Sequence, residues 1–272
     1  MVVQQVSSPM RSVFISHGAP NLPLHETPAR FFLEQLTTYV QKPSAIIVVS
    51  AHFETDGPVV VTDPQPDMIY DFRGFEPELQ EIVYAAPGEP GLAARVYDAL
   101  SNAGLKPRQV EKRGFDHGVW VPLMLAFPEA DVPIVQVSID PSKGADYHYQ
   151  LGEALRPALD DQTLVVGTGA LTHNLGLLFD PNGRRRNRLD PGEDWVEAFG
   201  DWIDDQVTTG NTGALIDFEA QAPFARKNHP EAEHLMPLFV AMGAAGGVAG
   251  QQLHKSTEYA VLRMDTYGFP AN

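Results

Sequence analysis

Histidines that follow apolar runs are the residues of this chain best suited to chemistry. His17 closes Val13-Phe14-Ile15-Ser16, and His52 closes Ala45-Ile46-Ile47-Val48-Val49-Ser50-Ala51. His173 follows the run from Leu164 to Thr172, and His229 lies in Asn228-His229-Pro230-Glu231-Ala232-Glu233-His234. Neutral imidazole is the commonest metal ligand. An open α/β sheet gathers the carboxyl ends of its strands at one edge, where ligands bind. If the apolar runs are strands, histidines far apart in sequence meet there. Ser16 and Gly18, Ser50 and Ala51, and Thr172 and Asn174 are small or turn-forming neighbours that leave room for a metal and its substrate. Taken singly, such a histidine is more often a hydrogen-bonded loop residue; the repeated placement points to one shared metal.

His117, in Asp116-His117-Gly118, precedes the apolar Val119-Trp120 and reads equally well as part of a pocket or of a helix-capping loop. His229 and His234, with Glu231 and Glu233, form an acidic and imidazole cluster at a helix start, where only one of the two histidines need face a site. The two carboxylates also suit the positive end of a helix. His25, His148 and His254 lack a strand-end context and read as surface or helix-face residues. Gly167-Thr168-Gly169-Ala170-Leu171-Thr172 is half of a dinucleotide fingerprint, without its third glycine or the lysine of a phosphate loop. Ser16, Ser50 and Thr172 adjoin histidines, but no Gly-x-Ser-x-Gly elbow accompanies them.

The elements that must position these side chains alternate along the chain. Strands are expected at Val13–Ser16, Ala45–Ala51, Val59–Val61, Val132–Ser138, Thr163–Val166 and, last, Tyr259–Met264. Thr27-Pro28 starts a helix with Thr as N-cap and Pro in the first helical position. Further helices are expected over Glu78–Tyr84, Gly91–Ala103, Trp120–Phe127, Tyr147–Leu159 (broken late by Pro157), from Asp194 through Phe218, and over Glu231–Met242. This order predicts an α/β fold: a single three-layer α/β/α domain over 1–272, with a central, mostly parallel or mixed sheet. A chain of 272 residues suffices for one substantial core, and no linker divides it.

Composition removes several function classes. With 19 basic and 35 acidic residues, the surface repels phosphate backbones, so nucleic acid is not an expected partner. The one basic run, Arg184-Arg185-Arg186 with Arg188, lies between Asp180-Pro181-Asn182-Gly183 and Asp190-Pro191-Gly192. It reads first as a solvated loop and second as an anion contact. The absence of cysteine excludes disulfides, thiolate ligands and a cysteine nucleophile, and agrees with a reducing cytoplasm. No window approaches the ~20 apolar residues of a membrane span, and Met1 to Met10 carries no leader pattern. A cytoplasmic location without membrane association is expected.

Six separated blocks then agree with one family. They are Phe14-Ile15-Ser16-His17-Gly18-Ala19-Pro20, Ser50-Ala51-His52-Phe53-Glu54, Ile69 to Phe75, Gly114 to Trp120, Gly167 to Asn174, and Asn228-His229-Pro230 through Leu238. From about Ser12 to Met242 the chain resembles the DOPA 4,5-dioxygenase branch of the class III extradiol ring-cleavage dioxygenases, the LigB superfamily. Gly74-Phe75-Glu76-Pro77 departs from the commoner Gly-Phe-Pro at the pocket rim. The resemblance implies a LigB-like fold, with His17, His52 and His229 as ligands of one divalent metal, His173 as acid/base and His117 beside the substrate. It also implies insertion of O₂ into a catechol to give a ring-opened semialdehyde. Fe(II) would serve turnover, while Zn(II) suits the same three imidazoles but is redox-inert. The alternatives are a zinc-dependent hydrolase using a His₃-bound water and a non-enzymatic LigB-fold binding protein.

Overall fold

The computed structural model describes residues 9–271. Residues 1–8, part of the stretch read for a leader pattern, lie outside them. The strands are β1 (Met10–Ser16), β2 (Ala45–Glu54), β3 (Val59–Val61), β4 (Arg108–Val110), β5 (Ile134–Ile139), β6 (Thr163–Gly169), β7 (Gln251–His254), β8 (Thr257–Glu258), β9 (Leu262–Arg263) and β10 (Thr266–Pro270). The helices are α1 (Pro28–Leu33), α2 (Pro90–Asn102), α3 (His117–Ala126), α4 (Ala145–Leu155), α5 (Asp194–Thr209), α6 (Thr212–Ile216), α7 (Phe218–Gln221), α8 (Ala225–Asn228) and α9 (Met236–Ala244).

Eight strands form one sheet in the order β4-β3-β5-β2-β6-β1-β10-β7. Its centre, β5-β2-β6-β1, is parallel, and β10 and β7 extend it antiparallel. Strand β2 is buried on both faces, as its β-branched run requires. Ala45, Ile47 and Val49 point to a core shared with α2, α4, α5 and α9, while Ile46 and Val48 point to a second core with α1 and α3. The layers are therefore helix, sheet, helix, as the alternation of elements predicts. Among the described residues, no helix is long and apolar enough to cross a membrane.

Register brings the strand ends together. Ser50 of β2 is level with Thr168 of β6, and Ser16 of β1 with Gly169 of β6. The carboxyl ends of β1, β2 and β6 thus lie side by side, and the amide of His17 donates to the Gly169 carbonyl at 2.9 Å.

Three expected elements differ. The helix expected over Glu78–Tyr84 is a single 3-10 turn, Pro77–Gln80, in which only Leu79 is buried; it has no apolar stripe to sustain more turns. The helix expected over Glu231–Met242 begins with a 3-10 turn, Glu233–Leu235, followed by α9. The final strand is β10 and not Tyr259–Met264. That stretch supplies the three-residue loop 259–261 and then β9, with Tyr259 and Ala260 both left-handed at φ 52 and 60. A pair of positive-φ positions in a hairpin connection is usually filled by Asn-Gly. Here Tyr-Ala fills it, so the sequence carries no turn signal.

Candidate metal centre and substrate pocket

Five imidazoles crowd the edge where β1, β2 and β6 end. His17, His52 and His234 each offer one ring nitrogen, and the three nitrogens lie within 4.8 Å of one another. The ring of His117 is 4.1 Å from that of His52, and the ring of His173 stacks on His234 at 3.4 Å.

Each of these side chains is aimed by its neighbours. His17 Nδ1 donates to the Gly18 carbonyl at 2.8 Å, and Gly18 sits in the left-handed region at φ 69, where glycine is at ease. His234 Nδ1 donates to Glu233 Oε1 at 2.7 Å, and His52 Nδ1 lies 3.7 Å from Asp71 Oδ2. With the Nδ1 sides turned outward, Nε2 carries the lone pair. The Nε2 atoms of His17, His52 and His234 are buried and have no hydrogen-bond partner among the described residues. Three orphaned nitrogens converging on one point are what a divalent cation needs, and outward carboxylates or carbonyls are the usual supports of metal-bound histidine. The residues fit a metal.

The structure places His117 both at the cavity and at the start of a capped helix. Asp116 caps α3, accepting from the Val119 amide at 3.2 Å, and is held to β2 by Ser50 Oγ at 2.7 Å and by Arg113 at 2.7 Å. That anchor places His117 in the first turn of α3, where its amide and Nδ1 donate to Asp71 Oδ1 at 3.1 and 2.8 Å. The other proton-transfer candidate, His173, lies past the end of β6, with Nδ1 3.6 Å from Glu233 Oε1. Two carboxylates therefore flank the cluster. Asp71 serves His52 and His117, and Glu233 serves His234 and His173. Asp71 is not singled out by the sequence reading, and Glu233 enters it only within the acidic and imidazole cluster, with a helix-end role as its alternative. Asp71 stands in the Ile69–Phe75 block, and the Glu233-His234 pair is the only other local signal.

The geometry does not bring His229, the expected third ligand, to the cluster, where His234 stands beside His17 and His52. His229 lies behind the site, its Nε2 donating to the Leu171 carbonyl at 2.8 Å and its ring packed near Phe199 and Phe218. It belongs to a seam that joins residues 227–234 to the loop after β6. In that seam His173 N donates to Asn228 O at 3.0 Å, Ala170 N to His234 O at 2.9 Å, and Asn174 Nδ2 to Lys227 O at 2.7 Å. The glycines of the discounted fingerprint serve this packing. A Cβ on Gly167 or Gly169 would overlap the carbonyl oxygens of Pro237 and His234. His148, expected on an exposed or helix face, is on a helix but fully buried, with Nδ1 donating to the Gly144 carbonyl at 2.9 Å.

Burial sets the protonation states. It pushes His17 and His234 well below the ordinary histidine range, and neighbouring imidazoles push in the same direction. Burial, aided by His117, lowers His52 to about 4. Burial opposes ionisation of Asp71, but its hydrogen bonds with His117 outweigh that and hold the carboxyl at about 2. Glu233 is likewise held below the carboxylate range by His173 and His234 against the effect of burial. Near neutrality the three converging imidazoles are neutral and the two flanking carboxylates are charged.

A cavity of about 290 Å³ opens over the cluster, at the small end for a small-molecule site. The five imidazoles line its base, and Phe72, Phe75, Leu175, Leu178, Tyr259 and Leu262 contribute to its walls. A roomier hollow of about 480 Å³ between α2 and α4 is open and lacks histidine, so the smaller cavity is the chemically equipped one.

Residues 17–270 match the family described as the catalytic LigB subunit of aromatic ring-opening dioxygenase. The chain is 40% identical over 261 residues to a 4,5-DOPA dioxygenase extradiol of Beta vulgaris, covering 94% of this chain and 95% of that one. It is 32% identical over 246 residues to the enzyme of the same name from Escherichia coli K12, covering 89% and 87%. A crystal structure of an uncharacterized Escherichia coli K12 protein superposes with a TM-score of 0.74 at 27% identity, covering 96% of this chain and 99% of that one. The family is metal-dependent, in keeping with the histidine and carboxylate cluster. The chain belongs to the LigB family of aromatic ring-opening dioxygenases and is an oxidoreductase that cleaves its aromatic substrate by the extradiol route.

Proposed function

We propose that His17, His52 and His234 hold one divalent metal through Nε2, that His173 is the acid/base, and that His117 orients the substrate. The observation that carries this reading is the convergence of three buried Nε2 atoms with no other partner. The substrate is a catechol, DOPA-like in the sense that several curated relatives are named for 4,5-DOPA. When bound, Fe(II) supplies the redox centre through which catechol and O₂ react, which zinc in the same imidazoles cannot do.

The chain's own residues prepare that reaction. Phe72 and Phe75 face the cavity beside the imidazoles and exclude water from around the ring. With Nδ1 of His173 turned to Glu233, Nε2 is the atom left to take the proton of a catechol hydroxyl. The same atom returns a proton to oxygen as the ring opens. Asp71 holds His117 with Nδ1 protonated, so its Nε2 presents a lone pair that fixes the direction of a hydroxyl. Both oxygen atoms of O₂ end in the product, a ring-opened semialdehyde acid. We place this activity in one catalytic domain over 1–272 and in the cytoplasm, in keeping with the absence of cysteine.

The test is iron-reconstituted protein with 4-methylcatechol, in air and under nitrogen. A yellow product that forms only in air, with one O₂ consumed per catechol, is the expected result. Absence of O₂ uptake, combined with ester hydrolysis by the zinc-loaded protein under nitrogen, would overturn it in favour of a zinc hydrolase.

A further inference from the structure

The basic run contains one cation that the fold does not use. Arg184 pairs with Asp180 at 3.0 Å, Arg186 with Glu193 at 2.7 Å and Arg188 with Glu258 at 2.7 Å. Arg185 makes no ion pair or side-chain hydrogen bond among the described residues. Its guanidinium lies 5.4 Å from the Tyr259 ring centroid, and it lines the cavity that holds the five imidazoles. The other arginine at that cavity, Arg263, is fully buried and committed to Asp265 at 2.7 Å and Glu197 at 2.9 Å. An unpaired cation at the mouth of an apolar pocket is notable in a chain of net charge −16, whose overall field repels anions.

We infer that Arg185 is a specificity-determining residue that selects catechols carrying an anionic side chain. This deepens the proposed ring cleavage and rests on it. With the catechol oxygens at the imidazole cluster, the ring's substituent extends along the cavity, and Arg185 is the charged group at the wall free to meet it. A guanidinium meets a carboxylate through two parallel N–H donors, a pairing that lysine reproduces only as a point charge. Tyr259 supports the fork from below. Its backbone is left-handed at φ 52, an uncommon conformation for a bulky residue, and it brings the ring to the cavity. Glu76, beside Asn21 and His25, shares with Arg185 and Tyr259 a second hollow on the rim.

The experiment compares 3,4-dihydroxyphenylacetate, which is anionic, with neutral 4-methylcatechol in the iron-reconstituted wild type and in Arg185→Gln and Arg185→Lys. KM comes from O₂ uptake and binding from anaerobic titration. In Arg185→Gln, KM and Kd for the anionic catechol rise about three- to tenfold, as loss of one partly exposed charge-assisted pair implies. Its kcat and all constants for 4-methylcatechol stay within about twofold, and Arg185→Lys recovers part of the loss. Unchanged constants for the anionic catechol, or equal changes for both catechols, overturn the inference and leave Arg185 a solvated surface cation. If the wild type turns over 4-methylcatechol but not the anionic catechol, the inference falls while ring cleavage stands. Turnover of neither overturns ring cleavage and the inference with it.

Discussion

Imidazoles share the work at this site, and single substitutions separate their roles. His234→Ala should leave the protein folded with little bound metal, as should His17→Ala, because each removes one of three converging nitrogens. His229→Ala should retain the metal and instead lose stability, since it leaves the Leu171 carbonyl without its donor. Metal content by mass spectrometry decides between them, and a metal-free His229→Ala beside a metal-loaded His234→Ala would reverse the assignment. His173→Ala should keep its metal and lose roughly 10²–10⁴-fold in kcat, the range of a general acid/base. Full turnover in that variant would remove the role. The sequence showed His17, His52, His117 and His173 because each follows an apolar run or opens a block with a recognisable pattern. It did not separate His229 from His234. The residues between them are neither strand nor regular helix, so no period told which imidazole turns inward.

Elements set the precision of the site through glycine contacts. A Cβ on Gly118, in the first turn of α3, would come 2.5 Å from Ser50 Oγ and 3.0 Å from both Asp116 Oδ1 and His52 Cδ2. Gly118→Ala should therefore displace His52 and weaken metal retention more than it lowers the melting temperature. A chelator competition run beside a thermal melt reads both, and unaltered metal affinity would show that α3 can shift away freely. At Gly169 the obstacle is the His234 carbonyl, a backbone atom, so Gly169→Ala should cost about 1–3 kcal/mol, measured by urea denaturation. The strands were legible because β-branched runs leave a clear pattern. The loop at Tyr259-Ala260 and β10 were not, because a left-handed Tyr-Ala pair lacks the usual turn residues and reads with β9 as one apolar stretch.

For the whole molecule, buried neutral histidines tie stability to pH. Burial lowers His229 and His254 to about 4, whereas an unfolded chain takes up these protons near 6.5. Between those values the unfolded state binds more protons, so stability is full above about pH 6.5 and falls as pH drops toward 4. In metal-free protein, His17, His52 and His234 act in the same direction. The urea midpoint should be lower at pH 5 than at pH 7, and the difference should shrink in His254→Phe, which keeps the stack on Phe32. Equal midpoints at the two pH values would refute the linkage. The sheet order carries a further consequence for how the enzyme matures. Strand β1, which leads into His17, is flanked by β6 and by β10 near the other end of the chain. A nascent polypeptide cannot enclose that first strand until residue 270 has emerged from the ribosome, so acquisition of the cation belongs after synthesis of the domain and not during it.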